Sequence, residues 1–205
     1  MFNFGLGKCL GVFALSIILG ATGGVAMAQG SSTDEVLAAL RNGGYIIFMR
    51  HANAPGELPT SATAAPGNDG LERQLDEKGR NDARNFGDAF RRLGIPVSSI
   101  EVSPTFRTRQ TAALAGFTAV TIQDFLLEES MVGVTPARLQ ALKDELARRP
   151  ASGNRLFISH SGNIMASFPE LDPTIEQGEA LIVDPSNPGQ PLLARVPITR
   201  WQMLQ

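Results

Sequence analysis

The sequence predicts an α/β fold of three layers, α/β/α, around a mostly parallel central sheet in a single domain. Three observations carry that expectation. Tyr45-Ile46-Ile47-Phe48-Met49 is an unbroken apolar run behind Gly43-Gly44, the pattern of a strand buried on both faces. Arg155-Leu156-Phe157-Ile158-Ser159 repeats the construction. Between and around these runs, short apolar stretches alternate with segments of helical periodicity, the order of strand–helix–strand units.

The elements follow in order. Thr33 is expected to cap a short helix, Asp34 to Arg41, with acids in its first turn and Gly43-Gly44 behind it. The opening strand is Tyr45 to Met49. Asn53 to Gly70 is a long surface loop rich in proline, glycine, serine and threonine, and its Pro55 to Gly67 stretch is of the kind that forms substrate lids. Leu75 to Leu93 reads as a helix capped by Asp76, with Ala83, Phe86, Ala89, Phe90 and Leu93 on one face and Gly94 and Pro96 as the stop. Ser99 to Val102 is a second strand, and Pro104 suits the first turn of a helix from about Thr105 to Gly116. Val120 to Ile122 is a third strand, and Thr135-Pro136 opens a helix to Arg149. After the second apolar strand comes a short helix near Gly162, then two closing strands, Glu179 to Val183 and Leu192 to Val196, joined by a turn at Asp184 to Gln190.

At 205 residues, 43% hydrophobic and 19% charged, the chain has the composition of one globular domain with a sizeable core. Its net charge of −2 and the lack of a basic run do not indicate nucleic-acid binding. The first 28 residues are expected to be a signal peptide: Lys8 begins it, Cys9 to Leu19 is too short to span a bilayer, and Ala26-Met27-Ala28 offers a small-x-small cleavage site. Cleavage after Ala28 would leave a domain of residues 29–205, bound for the periplasm or secreted and without a membrane span; an uncleaved anchor is the rival reading. Losing Lys8 takes the charge to 17 − 20 = −3, and losing Cys9 leaves no cysteine, which excludes thiol catalysis and cysteine metal sites.

The chemistry concentrates at strand ends. The chain has two histidines, His51 and His160, and each follows directly on one of the two apolar strands. In an open parallel sheet the ligand crevice lies beyond the carboxyl ends of the strands, so both imidazoles and Arg50 are expected in one site. Ser103 to Ala112 adds a strand end, a helix N-terminus and two arginines. Such a terminus favours anions, and an arginine there can grip phosphate with two donors. Arg107 and Arg109 lie two apart, so only one should enter the crevice. Arginines around a neutral imidazole suit phosphoryl transfer through a phosphohistidine, with a carboxylic acid to protonate the leaving oxygen.

These motifs resemble those of the histidine phosphatase superfamily, which has the phosphoglycerate mutase-like fold. Arg50-His51-Ala52 is similar to its Arg-His-Gly, with alanine in the glycine position. Leu75-Asp76-Glu77-Lys78-Gly79-Arg80 through Ala83 resembles its Leu-Thr-x-x-Gly-x-x-Gln-Ala stretch, and Ser103 to Ala112 its Ser-x-x-x-Arg-Ala-x-Gln-Thr-Ala block, which selects Arg107. Ser159-His160-Ser161-Gly162 resembles the second histidine motif, and Glu179-Ala180 lies in a stretch similar to the Gly-Glu-Ala before the last core strand. The resemblance runs from Tyr45 to Val183. It implies that His51 is the nucleophile, that Arg50, Arg107 and His160 hold the phosphate, and that no metal or cofactor is needed. It nominates Glu128, in Leu126-Leu127-Glu128, as the acid, with Glu129 as competitor. Mutase-type insertions are missing, so the expectation is an exported phosphatase acting on a small phosphorylated substrate, such as a sugar or envelope-glycan phosphate. A phosphohistidine protein phosphatase and a phospho-ligand binder without turnover are the alternatives. A histidine-based metal enzyme is disfavoured, because two imidazoles beside two arginines make a poor cation site.

Overall fold

The computed structural model describes residues 1, 32–56, 68–127, 135–171 and 174–205. The signal-peptide segment, most of the Pro55 to Gly67 loop and Glu128 with Glu129 lie outside the described residues.

The first helix, α1 (Thr33–Asn42), begins one residue earlier than the sequence reading placed it. Ser32, not Thr33, is the N-cap: its hydroxyl accepts from Glu35 N–H while the Glu35 carboxylate returns to Ser32 N–H, a reciprocal capping box. The remaining elements are β1 (Ile46–Arg50), α2 (Glu77–Leu93), β2 (Val97–Val102), α3 (Phe106–Leu114), β3 (Val120–Ile122), α4 (Pro136–Leu146), β4 (Asn154–Ser159), α5 (Ser161–Ser167), β5 (Ala180–Val183) and β6 (Leu192–Val196). Two 3-10 segments, Asp124–Leu126 and Ile198–Met203, complete the chain; neither was foreseen from the sequence.

Six strands form one sheet in the order β3-β2-β4-β1-β5-β6. The β1/β4, β2/β4 and β2/β3 pairs are parallel, and the two pairs of β5 are antiparallel. Alternation along β1 explains the three layers. Ile47 and Met49 point to one face and pack with α1, α2 and Trp201, while Ile46 and Phe48 point to the other and pack with Leu142, Leu146, Ile164 and Phe168 of the α4/α5 side. A strand with no wet face must be apolar at every position, and β1 is buried through its first four residues. Truncating Phe48 at the centre of this layer would cost about 3–5 kcal/mol.

The helix α2 sets the distance between the outer layer and the strand ends. Asp76 caps it, accepting from Gly79 N–H at 2.7 Å. A Cβ on Gly79 would come within 2.0 Å of Asn53 O, so only glycine lets the helix start lie against the backbone just past β1. Its apolar face holds Phe86 and Phe90, whose rings lie 5.8 and 4.8 Å from that of Trp201. Trp201 thereby brings the C-terminal segment into the core, fully buried.

Candidate active site

Three neighbouring parallel strands, β2, β4 and β1, end at one edge of the sheet, and each leads straight into a polar buried residue: Ser103, His160 and His51. The register pairs Arg50 with Ser159, and the ladder continues one step further, with His51 N–H donating to Ser159 O at 3.0 Å. That step places the imidazoles side by side, with ring centroids 5.5 Å apart. The two strand-end histidines are thus brought together, as the strand order alone requires.

Each imidazole has its tautomer set by a partner that can play only one role. His51 Nδ1 lies 2.8 Å from Ala52 O, a pure acceptor, so Nδ1 carries the proton and Nε2 keeps its lone pair. Arg107 Nη2, a pure donor, lies 3.0 Å from His160 Nδ1, so that nitrogen is bare and Nε2 donates to Ser103 Oγ at 2.9 Å. Burial, then the positive charge of Arg107, holds both imidazoles well below their ordinary 6.5. Arg50 and Arg73 push both the same way, and His160 also feels His51. At neutral pH the pair is uncharged, the form a nucleophile needs.

Of the two arginines in α3, Arg107 is fully buried and turned to the histidines. Arg109 points the other way, donating to Pro104 O at 3.1 Å, pairing with Asp69 and lying 5.5 Å over the Phe106 ring. Arg50 donates from Nη1 to Ile175 O at 2.6 Å. Ala52, the departure from the Arg-His-Gly pattern, is buried without strain: it has no positive φ, its N–H donates to Thr111 Oγ1 at 3.2 Å, and its carbonyl orients His51.

Several supports were not apparent from the sequence. Thr111 holds Ala52 and also donates to Arg107 O at 2.7 Å, and Gln110 Oε1 accepts from Leu75 N–H at 2.9 Å, so the Gln-Thr pair of the α3 block is structural. A strap, residues 174–179, crosses the end of β1: Gly178 N–H donates to His51 O at 2.8 Å, and Ala54 N–H to Gln177 Oε1 at 2.5 Å. The Glu179–Arg195 ion pair anchors it at 2.6 Å. Arg73, whose Nε and Nη2 both donate to Ala54 O at 3.1 and 2.7 Å, brings a third guanidinium near the histidines. Glu72 is buried beside it, with Oε2 accepting from Phe106 N–H at 2.6 Å.

Glu128 and Glu129 are not among the described residues, but the chain leading to them is. Leu126 O accepts from Ser159 Oγ and from Asn163 Nδ2, both at 2.8 Å, and Leu127 O accepts from the same Asn163 amide at 3.1 Å. Residues 126–127 are thus tied to the carboxyl end of β4, next to His160.

A family model described as histidine phosphatase superfamily (branch 1) matches residues 46–135, a span that holds Arg50, His51 and Arg107. Over that span the chain is similar to the histidine phosphatase superfamily. Solved structures agree in fold. The protein histidine phosphatase SixA, complexed with tungstate, aligns with 20% identity and a TM-score of 0.52, over 76% of this chain and 98% of its own. An open reading frame product of Mycobacterium tuberculosis aligns with 19% identity and a TM-score of 0.53, over 75% and 96%. A Thermus thermophilus protein aligns with 20% identity and a TM-score of 0.51, over 74% and 98%. Among curated proteins, none matches this sequence.

Proposed function

We propose that this protein is a phosphomonoester hydrolase that works through a covalent phosphohistidine on His51. The observation that carries the reading is the bond from His51 Nδ1 to Ala52 O, which keeps the Nε2 lone pair available at a strand end surrounded by guanidinium groups. In the first step Nε2 attacks phosphorus in line with the ester oxygen, the P–N bond forms and the P–O bond breaks. Arg50 and Arg107, with His160, stabilise the charge spread over the phosphoryl oxygens. The departing alkoxide takes a proton from an acid, and water then hydrolyses phospho-His51, returning the imidazole and releasing phosphate. Glu128 is the proposed acid: it follows directly on Leu127, which Asn163 ties to the His160 edge. The arginines and imidazoles meet the charge requirement without a metal ion. The proposed substrate is a small phosphate ester, a sugar or envelope-glycan phosphate, met in the periplasm or outside the cell after removal of residues 1–28 as a signal peptide. Among the described residues no helix is long and apolar enough to cross a membrane.

The test is hydrolysis of p-nitrophenyl phosphate in EDTA by the protein and by His51→Ala. Metal-independent turnover that falls by at least about 10⁴-fold in the variant, with the melting curve preserved, is expected. Near-wild-type activity of His51→Ala would remove the covalent mechanism. No turnover with tight phosphate binding would favour the non-catalytic binder. Glu128→Gln should depress alkyl phosphates far more than p-nitrophenyl phosphate, whose leaving group needs little protonation; equal losses would place the acid elsewhere.

A further inference from the structure

A buried carboxyl bonded to the backbone beside a pocket arginine is opposed to the charge of a phosphate ligand, so its presence calls for a reason. Glu72 is 5% exposed and sits on the loop before α2, 34 residues away in sequence from the amide it binds. The start of α3 needs it. Thr105, the N-cap residue, gives no side-chain cap, because its hydroxyl lies 3.0 Å from that of Thr108. Glu72 Oε2 accepts from Phe106 N–H in its place. Phe106 is followed by Arg107, so this bond fixes the residue from which the phosphate arginine departs. Two further ties, Leu75 N–H to Gln110 Oε1 and Asp69 to Arg109, bind the same loop to the same helix.

We infer that Glu72 is a positioning residue that caps α3 and balances the charge of Arg107 before a ligand binds, so that a phosphoryl dianion and a proton enter together. The inference rests on the phosphate-site reading above. Arg107, Arg50 and Arg73 crowd positive charge around the imidazoles, and a carboxylate near Arg107 offsets part of it. A bound dianion takes over that task, and Glu72 then faces a like charge and is relieved by a proton. Charged groups bearing on Glu72 are Arg107 and Arg109 from α3 and Asp69 from its own loop. Burial, aided by Asp69, raises its carboxyl from the ordinary 4.5, while the Phe106 N–H and the two arginines pull it down. The neighbouring imidazoles, neutral without a ligand, also gain proton affinity beside a dianion, so the part of the uptake that belongs to Glu72 is the part removed in Glu72→Gln.

Sulfate is the suitable probe, since it stays a dianion from pH 5 to 8. Its binding to the full chain is to be followed by calorimetry across that range, in buffers of differing ionisation enthalpy, for wild type, Glu72→Gln and Glu72→Ala. Wild type should bind with proton uptake and lose about tenfold in affinity as pH rises. Glu72→Gln keeps an oxygen for Phe106 N–H and lacks the charge, so its affinity should be higher than wild type at pH 8 and fall less steeply with pH. Glu72→Ala loses the cap as well, and its kcat for p-nitrophenyl phosphate should fall while Glu72→Gln restores most of it. An identical pH slope in wild type and Glu72→Gln would overturn the inference. Should both variants fail to fold, wild-type binding without proton uptake would overturn it on its own. Wild type that binds no sulfate at any pH would bring down the phosphate site itself; sulfate binding with no role for Glu72 would leave that site standing.

Discussion

The two ends of β1 and β4 are both polar and both buried, yet they are built on opposite rules. At the amino end, Asn154 is fully buried and every polar atom of its amide serves the backbone: Oδ1 accepts from Tyr45 N–H at 3.2 Å, and Nδ2 donates to Leu40 O and Pro96 O at 2.7 and 2.9 Å. Gly43 and Gly153 meet there so closely that a Cβ on Gly43 would lie 2.8 Å from Gly153 O. At the carboxyl end, His51, His160 and Arg107 are equally buried, and guanidinium groups stand beside imidazoles held neutral. A satisfied amide closes a structure, whereas neutral imidazoles among guanidiniums keep a lone pair beside positive charge. Burial of polar groups alone therefore does not mark a site; the kind of partner does.

Substitution at each end should separate turnover from stability. Arg107→Lys keeps the charge and loses the planar fork that reaches His160 and, in the proposed mechanism, the phosphoryl oxygens, so kcat/KM for p-nitrophenyl phosphate should fall about a hundredfold with little change in melting temperature. Activity within threefold of wild type would remove Arg107 from the pocket. Asn154→Ala should do the reverse. It strands the Tyr45 N–H and removes one of two donors from Leu40 O and Pro96 O, which keep the Gly43 and Asn154 backbone N–H groups, at a cost of about 1–3 kcal/mol in chemical denaturation, while specific activity of the folded protein stays level. A loss of activity without loss of stability would show that the amino end communicates with the site.

What could be read in the sequence follows from the same contrast. The two apolar strands and the strand-end histidines with Arg50 were legible because burial on both faces is a local property; spacing said only that one of Arg107 and Arg109 turns inward, and the resemblance to the family block chose Arg107. The short strands β3 and β6 fell where expected, at 120–122 and 192–196. Glu72, Arg73 and the 174–179 strap were not legible. They sit in loops without periodicity, and their roles exist only through contacts with distant segments: Glu72 with Phe106, Arg73 with Ala54, Gly178 with His51. The capping of α1 by Ser32 instead of Thr33 shows the ordinary limit of boundary reading, since both residues carry the same chemistry one position apart. Glu128 lies outside the described residues, and its nomination rests on the family motif and on the anchoring of Leu127.

The smallest effect expected from the contrast is a dependence of stability on pH that belongs to one end alone. Asn154 does not titrate. His51 and His160 have folded values well below 6.5, whereas in the unfolded chain both should titrate near that ordinary value. Above it, both states hold neutral imidazoles and the pair contributes no slope. As pH falls below it, the unfolded chain takes up protons that the folded protein refuses, so stability is lost from about pH 6.5 downward until the folded values are reached. The slope approaches about 1.4 kcal/mol per pH unit for each imidazole. Glu72 opposes this: its raised carboxyl favours the folded state as pH falls, but it is one group against two. Urea denaturation at pH 7.5 and 5.5 should therefore show a clear drop for wild type and a much smaller one for a His51→Gln, His160→Gln double variant. Equal drops in the two proteins would mean that the imidazoles are not held neutral, and that His51 does not stand ready as a nucleophile below pH 6.5.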